Sequence, residues 1–203
     1  MLMYYTGVGS RKTPKNILEY MKSSAAWLET HGYVLRTGDA DGADAVFRSG
    51  CNKAKVYEAK DATDQAKQIA SQFHPAWDKC SVFAKKLHAR NAFQVLGDDL
   101  NTPSQFLVCW TPDGCKSHEQ RGINTGGTGT AISIASANNI PVFNLKTDLY
   151  NFYNYLIELW CVEDKSFEPT RLKRASLYKT KNGLDVTAKS ASGLGKFFAP
   201  SWK

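Results

Sequence analysis

The segment Gly126-Gly127-Thr128-Gly129-Thr130 carries the strongest chemical signal in the sequence. Glycines let a backbone approach a ligand closely. A helix that starts there turns its first N–H groups and the positive end of its dipole outward. Thr128 and Thr130 add hydroxyl donors. This chemistry suits an anion, a phosphate above all. No Lys follows in a GxxxxGK[ST] frame, so the segment is not a P-loop. It also lies too far along the chain for the dinucleotide fingerprint, which follows a first strand. A second loop, Gly7-Val8-Gly9-Ser10-Arg11, offers a tight turn at Gly9, a hydroxyl on Ser10 and a guanidinium on Arg11 that can pair with phosphate. A third, Thr37-Gly38-Asp39-Ala40-Asp41-Gly42-Ala43-Asp44, alternates carboxylates with small residues. Asp39 and Asp41 can accept hydrogen bonds from ribose hydroxyls or a base edge, or hold Mg²⁺ through oxygen. Asp44 reads as a dipole-matched residue in the first turn of a helix. A fourth feature is His88-Ala89-Arg90-Asn91, preceded by Trp77-Asp78. Here Arg90 can reach a phosphate and Asn91 a backbone carbonyl. Glu119 joins Asp39 and Asp41 as the carboxylates available for acid–base catalysis.

Elements of two kinds must position these residues. Short apolar runs predict strands at residues 3–8, 33–36, 54–58, 106–110 and 141–145. Helical spacing predicts helices from Pro14 to Gly32 and at 43–49, 63–73, 80–96, 131–138 and 148–160. Thr13 is the expected cap of the first helix and Asp148 of the last. Strands that alternate with helices build parallel βαβ units. The fold class is therefore α/β, a Rossmann-like parallel sheet sandwiched by helices. Ligands of such sheets sit beyond the C-terminal ends of the strands, where the glycine-bearing loops fall. The polar loop 111–125 is placed to act as a lid.

The chain has 203 residues, 42% of them hydrophobic and 12% aromatic. That supports a folded domain and excludes disorder throughout. No apolar run reaches about 18 residues, so no membrane span is expected. Residues 1–11 lack a basic leader and a cleavage pattern, so a cytoplasmic location is the expectation. The net charge is +7. Between Arg171 and Lys203 eight basic residues face the single Asp185, so the whole excess lies there. We read residues 1–164 as the Rossmann-like domain and 165–203 as a basic C-terminal tail ending in Phe197, Phe198 and Trp202. Basic residues among aromatics suit a nucleic-acid backbone and stacked bases. The plainer reading, which we prefer, packs the aromatics on the domain and leaves the lysines in water. The five cysteines are odd in number and scattered, which fits free thiols. Cys109, Cys115 and His118 lie close in sequence but lack metal-ligand spacing, so no metal site is expected.

Four motifs in order carry a resemblance. Gly9-Ser10-Arg11 follows the first strand, and Gly38, Gly42 and Asp44 form a G-x-x-x-G-x-D turn. His74-Pro75-Ala76-Trp77-Asp78 precedes Ala89-Arg90-Asn91. Gly126 to Thr130 precedes Ala137-Asn138-Asn139-Ile140-Pro141-Val142. In this order they resemble the SLOG superfamily, the Rossmann-like group that includes the DNA-processing protein A (DprA-like) family, the YspA/YpsA-related proteins and the LOG nucleotide hydrolases. The parallel spans roughly residues 3–145. Ala131, Ile132 and Ser133 stand where the hydrolases carry a catalytic Glu, and Asp41 stands where DprA-like proteins carry Arg.

The resemblance implies a nucleotide-type pocket, and three functions follow in order of preference. The first is a module that binds a nucleotide or nucleotide-derived small molecule through Gly9, Ser10, Arg11, Gly38, Asp39, Asp41, Arg90, Asn91 and Gly126 to Thr130. The second is an enzyme that hydrolyses an N-glycosidic or phosphate bond of that ligand. The third is a DprA-like binder of single-stranded nucleic acid through Arg11, Arg90 and the tail. No cofactor is required, although Mg²⁺ would enter with a nucleotide. The resemblance also implies a homo-oligomer.

Overall fold

A computed structural model describes residues 2–163 and the short strands Lys179–Thr180 and Gly183–Leu184. Two compact units divide the chain, Met1–Leu149 and Tyr150–Lys203. The first holds a sheet of five strands: β1 (Met3–Gly7), β2 (Tyr33–Gly38), β3 (Ala54–Tyr57), β4 (Leu107–Cys109) and β5 (Val142–Asn144). Their spatial order is β3-β2-β1-β4-β5, and every pairing is parallel. Five α-helices connect them: α1 (Lys15–Thr30), α2 (Ala43–Ser49), α3 (Asp64–Phe73), α4 (Val82–Leu96) and α5 (Thr128–Ala137). α1 and α2 pack together against β2, while α3, α4 and α5 pack with one another over the other face. The α/β Rossmann-like class expected from the alternation of elements is what forms. α6 (Leu149–Glu163) leads into the second unit. There β6 (Lys179–Thr180) and β7 (Gly183–Leu184) form an antiparallel pair. The remainder of the tail at 165–203, with its basic and aromatic residues, lies outside the described residues. Among the described residues no helix is long and apolar enough to cross a membrane.

Successive strand residues point to opposite faces, and β1 shows what this does to the core. Tyr5 is buried toward α2, stacked on Phe106 at 5.6 Å and edge-on to Phe47 at 6.5 Å. Its neighbour Thr6 points the other way. There its hydroxyl donates to the Gln94 carbonyl in α4 at 2.6 Å, and Ser104 lies 2.9 Å away. On that face Val8, Leu107 and Cys109 meet Ala89, Phe93, Ile132 and Ala135 in one apolar cluster. Small residues at 89, 92, 131 and 135 let α4 and α5 lie close to the strands. Arg36 is the one fully buried charged side chain among the described residues. Its guanidinium donates to the Thr102 carbonyl at 2.6 Å and lies 3.8 Å from the centre of the Tyr4 ring. A carbonyl and a π-face thus replace the water it loses.

Element ends depart from the sequence reading in three places. α5 begins at Thr128 rather than near 131, because Gly126 turns the chain with φ +65° and Gly127 already has helical angles. The first helix starts after Pro14 with no side-chain cap, since the Thr13 hydroxyl donates instead to the Ser10 carbonyl at 2.7 Å. β4 and β5 are shorter than the apolar runs that predict them.

Candidate functional site at the C-terminal ends of the strands

The loops after β1 and β2 meet first. Gly42 has φ +80°, and a Cβ there would lie 2.7 Å from the Arg11 Cα. Both facts demand glycine, and both press the two loops together. Gly9 is equally crowded, its absent Cβ 2.8 Å from that of Ala43. Ser10 is set by its own turn: its N–H donates to the Trp110 carbonyl at 3.1 Å, and its Oγ accepts from the Lys12 amide at 3.1 Å. Arg11 is exposed beside it.

The middle of α4 then ties the acidic loop to the glycine loop. Arg90 is buried under the end of β2 and forms an ion pair with Asp39, with Asp44 at 3.8 Å on its other side. Its side chain is 9% exposed, against 43% for Asp39, so a buried cation holds a carboxylate that still faces water. The next residue, Asn91, donates from Nδ2 to the Gly127 carbonyl at 3.2 Å. Gly38 makes room for this convergence, since a Cβ there would lie 2.5 Å from both Asp44 Oδ2 and Gln94 Nε2. Arg90 Nε and Gln94 Oε1 are buried without a hydrogen-bond partner among the described residues.

Gly126 and Gly127 form an exposed edge of the site. The amides of Gly129 and Thr130 bond back to the carbonyls of Gly126 and Gly127 at 3.2 and 3.3 Å. The amides of Gly126, Gly127 and Thr128 have no acceptor of this kind among the described residues, and they stand at the start of α5. A Cβ at Gly127 would meet nothing within 4 Å, so packing does not require glycine there.

Several expectations change at this point. Thr130 was expected to donate outward, but it is buried. Its Oγ1 lies 2.9 Å from His88 Nδ1 and accepts from Arg121 at 3.3 Å. Gly129 lies buried against the Arg121 side chain. Arg90, expected to reach a phosphate, is ion-paired with Asp39 and lies 3.8 Å from Asp44. Asn91 does reach a backbone carbonyl. Asp41 is exposed on the loop tip. Glu119 is exposed in the loop after β4 and hydrogen-bonded to Ser117. The loop 111–125, expected as a lid, is fastened. Asp113 accepts from Thr111 at 2.7 Å and from Thr125 at 2.5 Å, and Asn144 donates to Thr111 and to the Cys115 carbonyl.

Asp44 lies in the first turn of α2, as read from sequence, and is also buried. Burial pushes its carboxyl up to about 7, while backbone hydrogen bonds from Gly9, Gly38 and Ala40 and the Arg48 charge pull it down. The unfolded chain releases this proton near 3.8, so the folded state holds more protons between there and about 7. Stability therefore falls as pH rises through that window. Asp44→Asn is expected to flatten the fall, by a few kcal/mol at most, in urea melts compared at about pH 4.5 and about pH 8. A variant as steep in pH as the wild type would contradict the assignment.

Sequence reasoning passed over Arg121 and Gln94, which reach the site from a loop and from the last turns of α4. Gln94 sits one helical turn after Arg90, a spacing that could have flagged it. Arg121 carries no such signal. Compared with known protein families, curated proteins and solved structures, the chain matches none.

Proposed function

We propose that the chain binds a nucleotide or nucleotide-derived small molecule across the C-terminal ends of β1, β2 and β4. The ligand's phosphate lies on the amides of Gly127 and Thr128. Its sugar hydroxyls or base edge face Asp39, and Arg11 closes the phosphate side. The observation that carries this reading is the pair Arg90–Asn91. Two consecutive residues hold a carboxylate loop and an amide-donor loop to one place. A polar ligand with an anionic end and hydroxyl donors matches both loops. The charge pattern also separates the two ends. Arg90 is paired with Asp39, so the anion is drawn to the glycine loop rather than to the centre. The SLOG resemblance of the four motifs points the same way.

Titration of the protein with a panel of nucleoside mono-, di- and triphosphates, followed by backbone amide resonances, tests the reading. Saturable shifts with at least one member are expected. A panel that leaves every resonance in place would overturn it.

A further inference from the structure

His74, Cys80 and His88 take no part in the pocket just described, yet the fold gathers them. His74 ends α3, Cys80 follows the short turn Trp77–Lys79, and His88 lies in the second turn of α4. One ligand atom from each falls within 4.8 Å of the others, and all three side chains are half-buried. The Cys80 sulfur is 3.7 Å from His74 Nδ1 and 3.8 Å from Nε2. The two imidazole rings lie 4.2 Å apart.

We propose that these three residues form a site for a soft divalent transition metal of the zinc class, with one thiolate and two imidazole ligands and an open fourth position. Metal–sulfur and metal–nitrogen bonds of about 2.3 and 2.0–2.1 Å at a tetrahedral angle set a sulfur–nitrogen edge of about 3.6 Å. The 3.8 Å from Cys80 Sγ to His74 Nε2 is close to that value. Both imidazoles are already held. His74 Nδ1 accepts from the Ala76 amide at 3.2 Å, which leaves Nε2 as its ligating atom. His88 Nδ1 is held by the Thr130 hydroxyl at 2.9 Å, which leaves Nε2 as its ligating atom, the arrangement that metal-binding histidines use. Arg121 is the opposing feature, a cation beside two imidazoles. A site of imidazoles alone would suffer its repulsion, whereas the Cys80 thiolate supplies the balancing charge. On binding, the Cys80 S–H bond, now directed at the Ala76 carbonyl at 3.6 Å, breaks and its proton goes to water. A thiolate with imidazoles selects zinc-like ions over Mg²⁺, which prefers oxygen. The site stands independently of the nucleotide reading.

The test uses the full-length chain, reduced and stripped of metal, titrated with Co²⁺ and read by absorption. One equivalent is expected to give visible tetrahedral bands and a near-ultraviolet thiolate-to-cobalt band, both removed by Zn²⁺. Cys80→Ser should abolish the thiolate band and weaken Co²⁺ binding by roughly tenfold or more, the scale of losing a ligand or its support. His74→Asn should weaken binding while keeping the thiolate band. Circular dichroism shows that each variant is folded. Absence of tetrahedral bands in the wild type, or a thiolate band that survives Cys80→Ser, would overturn the proposal.

Discussion

Gly127→Glu is expected to remove nucleotide binding, raising Kd by roughly 100-fold or more, about 3 kcal/mol, while the fold is kept. The backbone at 127 has φ −63° and ψ −30°, angles that any residue adopts. The space where a Cβ would stand is open to 4 Å. Nothing in the protein therefore resists a side chain there, and an acidic group at a helix N-terminus is favoured by the dipole. Stability should stay within about 0.5 kcal/mol of wild type, as for surface substitutions. Binding fails for a different reason. The new carboxylate takes the phosphate's place on the Gly127 and Thr128 amides and repels its charge. Gly127→Ala, which adds bulk without charge, should lose much less. Calorimetric titration of the three proteins separates these cases, and equal affinity in wild type and Gly127→Glu would contradict the placement of the phosphate.

Arg90→Met is expected to act on the fold. The substitution keeps most of the aliphatic volume but removes the cation between Asp39 and the buried Asp44. Removing one partner of a buried pair typically costs about 3–5 kcal/mol, because the other charge is stranded. Here the cost should depend on pH. Near pH 8 Asp44 must either stay charged with Arg48 alone near it or take up a proton. Below its value of about 7 it is already protonated, and the loss shrinks. Asp44→Asn in the Arg90→Met background should recover most of the lost stability, a coupling that urea melts of the double-mutant cycle measure. Simple additivity would show that Arg90 and Asp44 act separately.

Much of this architecture is legible from residue patterns. β1 and β2 are short apolar runs that end on glycine, and the helices between them have clear periodicity, so the parallel α/β class follows directly. The loops that bear glycine are also visible, because Gly42 and Gly126 need positive φ and stand at strand-to-helix turns. Side-chain direction inside a loop is not visible. Thr128 and Thr130 look equivalent in sequence, yet a helix rotates about 100° per residue, and two steps carry Thr130 into the core beneath His88. Asp44 shows the same limit. An acidic residue in a first helical turn has the pattern of a solvated cap, and only the crowding at Gly38 reveals that it lies under the C-terminal end of β2. The His74–Cys80–His88 cluster is hidden for another reason. Its spacing matches no short metal motif, because packing of α3 against α4 brings the ligands together rather than a single turn.

The proposed pocket joins the glycine loop to the acidic loop. The most direct measurement is the position of amide shifts when the wild-type protein is titrated with a nucleotide. The largest shifts are expected at Gly127 and Thr128, with further shifts at Ser10, Arg11 and Asp39, all following one binding curve. Shifts confined to residues outside these loops, or two curves with different affinities for the two loops, would contradict it.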